Sequence, residues 1–102
     1  MITWHPRTLL VVVAEAAIEK PLLRTARELG VQGWTVGEVH GRFLEGERDG
    51  DWEADRTVEI RLLCERAVAE RVAEVVLRQY APPYSVALYL SGAEVAGPSA
   101  SE

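Results

Sequence analysis

Apolar positions along this chain follow two rhythms, and each change of rhythm marks a change of element. Residues 8–16 form a near-continuous apolar run with three valines, the pattern of a strand at a sheet centre. Residues 1–7 before it read as a short lead-in: Pro6 blocks a regular start, and Trp4 and His5 are expected against the sheet edge. A helical spacing follows over residues 21–29. Leu22, Leu23, Ala26 and Leu29 make its apolar stripe, and Arg24, Arg27 and Glu28 face water. Pro21 suits the first helical position, where a missing N–H is harmless. Gly30 stands where a left-handed residue closes the last turn. Gly33 lets the backbone turn again, and residues 34–39 are rich in strand-favouring types.

At Gly41 the rhythm stops. Residues 41–55 carry six acids and only two arginines, Arg42 and Arg48, with no apolar period. A loop this long in so small a domain is usually either functional or disordered. Residues 56–64 then alternate, with Val58, Ile60 and Leu62 on one face and Glu59 and Arg61 on the other. Residues 65–80 return to helical spacing through Val68, Val72, Val75 and Val76, with Arg66–Glu70 and Glu74–Arg78 paired outside, and Pro82-Pro83 end the helix. Residues 84–90 alternate again as the last strand, with a short extension over 92–95. The expected order is βαββαβ. That is an α+β, ferredoxin-like fold: a four-stranded antiparallel sheet, two helices on one face, and a long loop between strands two and three. One domain is expected over residues 1–96, with 97–102 a flexible tail.

Composition narrows the function. At 102 residues the chain is one domain, and 11 basic against 16 acidic residues give a net charge of −5. That disfavours nucleic acid and anionic membranes, which need basic surfaces. Cys64 is the sole cysteine and reads as a buried, inert thiol. The apolar run at residues 9–14 is too short to span a bilayer, no secretory signal pattern precedes it, and the expected location is the cytoplasm. No serine or cysteine is paired with a histidine and an acid, and no glycine-lysine phosphate loop occurs, so the reading is non-enzymatic. His5 and His40 are too far apart to suggest a metal site. An EF-hand begun at Asp49 would place Ala54 and Ile60 where a glycine and an acid belong.

The segment from Gly30 to Gly41 resembles the PII signalling proteins, whose G-x-x-G-x-T-V-x-E-V-x-G run ends the first helix, forms the second strand and opens the T-loop. Gly30, Gly33, Thr35, Val36, Glu38, Val39 and Gly41 fill every fixed position. The likeness extends over residues 8–94. Residues 80–84 lack the glycine and lysine of the nitrogen-type B-loop, residues 96–102 lack its arginines, and the loop lacks the tyrosine of uridylylation. Arg48-x-Gly50-x-Trp52 is instead similar to the carboxysome-associated and bicarbonate-transporter-associated PII-like branch.

That resemblance implies a homotrimer binding an adenine nucleotide between subunits, with ADP or AMP favoured because the lysine suited to ATP is missing. Gly33, Trp34 and Thr35 would lie against base and ribose. Gly41, Arg42 and Arg48 would hold the phosphates, as backbone amides and an arginine fork do well. His40, Trp52, Arg56 and Arg61 are candidate contacts for bicarbonate, another anion or a partner. Arg61 stands where the family often has an acid, and so adds a positive charge. The implied partner is a transporter or a carboxysome component. Two other readings remain: a ligand-free assembly module using its acidic loop, and, last in rank, a metal-responsive relative of the same fold.

Overall fold

The computed structural model describes residues 1–41, 56–81 and 86–97. The chain runs through β1 (Thr3–Glu15), a 3-10 turn (Ala16–Ile18), α1 (Glu19–Glu28), β2 (Gly33–Glu38) and β3 (Thr57–Cys64). It continues through α2 (Arg66–Val75), whose last turn widens into a π-helical stretch (Val76–Tyr80), to β4 (Val86–Gly97). The strands form one antiparallel sheet in the order β2-β3-β1-β4. Each helix therefore joins two strands that have a third between them, which is the ferredoxin-like plan expected above.

One face of the sheet is closed by both helices. Leu10, Val12 and Ala14 of β1 and Ile60 and Leu62 of β3 have no exposed surface, and they pack with Leu22 and Ala26 of α1 and Ala69 and Val72 of α2. Burying each large aliphatic side chain contributes roughly 1.5–3 kcal/mol. The alternation that places them there also sends Leu9, Val11 and Val13 to the other face, where Val11 and Val13 pack with Leu9 and Ala87.

The end of α1 sets the entry to β2. The N–H of Gly30 donates to the Arg27 carbonyl at 3.1 Å, and that of Val31 to the Ala26 carbonyl at 3.0 Å. These two bonds are a Schellman closure, and Gly30 holds it with φ of 114°. A side chain at Gly30 would meet only Val68, at ordinary contact distance, so the glycine is there for its backbone. Val31 then drops into the core, 3% exposed.

Three boundaries differ from expectation. Residues 3–7 are strand, not lead-in: Pro6 sits inside β1 opposite Glu94, and Trp4, 56% exposed, lies on the strand instead of packing beneath an edge. The ladder with β3 begins only at Thr8, so Pro6 lies where β1 has an open side and a missing donor does little harm. The last strand is continuous to Gly97, because β1 pairs with it from Thr3 to Ala14 and carries it past Gly92, and the expected tail loses its first residue to that strand. The first helix begins at Glu19, which makes Pro21 its third residue, still within the turn whose N–H groups have no helical partner. The long loop's residues 42–55, Tyr84 and residues 98–102 lie outside the described residues. No helix in the described residues is long and apolar enough to cross a membrane.

Candidate functional site

β2 is an edge strand, and its pairing with β3 decides what it shows on each face. Gly33 lies opposite Leu63, Thr35 opposite Arg61 and Gly37 opposite Glu59. These are the residues of the open face, since Leu62 and Ile60 between them point into the helix-covered core. The strand therefore offers glycine, threonine and glycine in succession along the rim of the open face.

At one end of this rim, Leu9, Gly33, Trp34, Thr35, Arg61 and Leu63 line a depression of about 250 Å³. Complete small-molecule sites run to roughly 300–1,000 Å³, so a single chain supplies at most part of one. Its lining is mainly apolar, with Arg61 as the one charged side chain. The Nε of Arg61 pairs with Glu59 at 3.2 Å. Gly33 differs in kind from Gly30. Its φ is not positive, and a side chain built on it would find only the Leu63 carbonyl oxygen, at 3.9 Å. Neither backbone geometry nor crowding within the chain asks for a glycine there.

Trp34 contributes differently from its neighbours. Its ring lies under the Arg27 guanidinium of α1, 5.1 Å from the ring centroid, and the residue is 37% exposed. This cation–π contact ties the start of β2 to the helix before it.

The other end of β2 is the stem of the long loop. The Val39 N–H donates to the Thr57 carbonyl at 3.0 Å, and the Ala16 N–H to the Arg56 carbonyl at 2.8 Å. Arg56 and Glu38 form an ion pair at 2.8 Å across the stem. His40 and Gly41 follow it and are exposed, with open space where a Gly41 side chain would stand. Between the two ends run the six residues of β2, roughly 20 Å of extended chain.

The sequence-expected residues thus separate into two groups. Gly33, Trp34, Thr35 and Arg61 meet at the depression, whereas His40, Gly41 and Arg56 gather at the loop stem. Arg42, Arg48 and Trp52 lie outside the described residues. Leu9 and Leu63 complete the depression and were not singled out from the sequence. Their only signal is parity, since each sits one residue from a core position on its strand. Cys64 is buried as expected, and burial together with the neighbouring Glu65 pushes its thiol pKa up, so it stays protonated. Among the described residues no three acids, histidines or cysteines gather as a metal site.

The family model "Nitrogen regulatory protein P-II" matches residues 7–96. No curated protein sequence matches the chain. Among solved structures, one described as a PII-like signaling protein from Thermus thermophilus is 29% identical, with a TM-score of 0.75 over 90% of this chain and 91% of that one. The apo form of CPII, a PII-like protein from Thiomonas intermedia, is 17% identical, with a TM-score of 0.77 over 96% and 100%. CPII bound to ADP, AMP and bicarbonate superposes with a TM-score of 0.74 at 15% identity, over 94% and 99%.

Proposed function

This chain belongs to the nitrogen regulatory protein P-II family, and from that premise we propose that it is a non-enzymatic signalling protein of the cytoplasm. In this reading it is a trimer, it binds an adenine nucleotide, ADP or AMP before ATP, between subunits, and its loop of residues 41–56 answers by engaging or releasing a partner. The observation that carries the reading is Gly33: a glycine that its own chain does not require, on the floor of a depression too small to be complete. A ligand lying against β2 does require it, because a side chain there would stand in the ligand's place.

Gly33, Trp34 and Thr35 would face base and ribose, and Gly41, Arg42 and Arg48 the phosphates. Of the phosphate-side residues only Gly41 is among those described, and it lies beyond the far end of β2 from Gly33, roughly 20 Å of extended chain away. Each cleft would then take its base side from one subunit and its phosphate side from the next. On the open face Val11 and Val13 are already covered within the chain, and the partly buried Leu9 is the apolar side chain beside the site. ADP, AMP and bicarbonate are the ligands of CPII, which shares this fold, and His40, Trp52, Arg56 and Arg61 are the residues here suited to an added anion or a partner. The likeness to the carboxysome- and bicarbonate-transporter-associated branch suggests an inorganic-carbon or ion transporter, or a carboxysome component, as that partner. A nucleotide can switch the loop only by binding its two states with different affinity.

Isothermal titration calorimetry with AMP, ADP, ATP and cyclic AMP, with and without bicarbonate, tests the reading. Saturation near one nucleotide per chain, lost in the Arg42→Ala/Arg48→Ala double variant, is expected. A folded trimer that binds none of the four would leave a ligand-free assembly module instead.

A further inference from the structure

Arg61 is the charged side chain of the depression, beside the hydroxyl of Thr35, and a guanidinium can only donate hydrogen bonds. Glu59 meets it at Nε, 3.2 Å away, and the two Nη atoms of the planar group carry the donors that a ligand edge could meet. Such a fork matches an edge that presents two acceptors side by side. Guanine has one in O6 and N7, whereas adenine sets a donating amine beside N7, so one arm of the fork would meet another donor. We propose that Arg61 extends the ligand class of this depression to guanine nucleotides, held at least as tightly as their adenine counterparts. This rests on the reading above that a nucleotide base lies against Gly33 and Thr35. It departs from that reading in taking the base preference from this chain's own arginine and not from the ligands of CPII.

The geometry of the site accommodates the added demand. Arg61 and Thr35 face each other across the β2–β3 ladder, so a flat base seated over Gly33 has the fork at its rim. Leu9 and Leu63 supply apolar surface for its faces. The Glu59 contact also disperses part of the charge, so a neutral base edge suffices as partner.

Calorimetric titrations of the full-length protein with GDP and with ADP, run on the wild type, Arg61→Gln and Arg61→Lys, decide the matter. Position 61 is exposed, so all three should fold and assemble alike, which melting and gel filtration check. The expected wild type binds GDP at least as well as ADP. Arg61→Gln should lose roughly tenfold in GDP affinity and much less in ADP affinity, because an amide offers one donor and one acceptor and suits adenine. Arg61→Lys keeps the charge but not the fork, and should lose as much GDP affinity as the glutamine variant. ADP bound well ahead of GDP by the wild type, or GDP affinity retained in either variant, overturns this inference and leaves the nucleotide reading standing. Binding of neither nucleotide by the wild type overturns both.

Discussion

The two faces of the sheet are explained by different things. On the helix-covered face, the core side chains are accounted for by their own chain: Leu10, Ile60 and Leu62 are fully buried, and their partners on α1 and α2 lie at helical spacing. On the open face the chain accounts for Val11 and Val13, which are buried, and not for the glycines of β2. Gly33 and Gly37 have neither the backbone conformation nor the crowding that asks for glycine, and Arg61 stands in a partly formed depression. Gly30 and Gly33 put the contrast within three residues. The first is held by a positive φ and a Schellman closure, the second by nothing inside the molecule. A residue that internal physics leaves unexplained is best sought in what binds there.

This contrast can be broken in several places. The largest stability effect belongs to the closed face: Leu62→Ala should cost about 2–5 kcal/mol in urea unfolding, because it opens a cavity between β3 and the helices. Gly30→Ala should cost about 1–2 kcal/mol in the same measurement, since it forces a side chain into a left-handed backbone. Its nucleotide affinity should be unchanged. Removing the ring contact by Arg27→Ala should cost about 0.5–1 kcal/mol, read from the melting temperature. Smallest is Glu38→Gln, which breaks the exposed ion pair at the loop stem and should change stability by about 1 kcal/mol or less, with the difference shrinking in high salt.

The closed face was also the legible one. Alternation in β1 and β3 and the stripes of α1 and α2 reveal the core because burial imposes a period, and Gly30 is visible because a helix end has its own chemistry. Residues 3–7 were not legible, since a proline argues against a strand unless one knows that β1 runs past the end of β3 there. The unbroken run of β4 through Gly92 was hidden likewise, because the long pairing with β1 overrides a local break. At the site, Gly33, Thr35 and Arg61 could be named in advance, but their meeting with Leu9 and Leu63 could not. That meeting depends on the register between three strands, and register is written in no single segment.

The most direct test of the central claim is a calorimetric titration of Gly33→Val with ADP beside the wild type, on folded samples of the same oligomeric state. Valine favours a strand and meets only one atom at 3.9 Å, so the variant should melt at or above the wild-type temperature. Its ADP affinity should fall by roughly tenfold or more, because the side chain occupies the ligand's space. Equal affinity in the two proteins would mean that nothing lies against β2 at Gly33, and the open face would have to be explained by subunit contact alone.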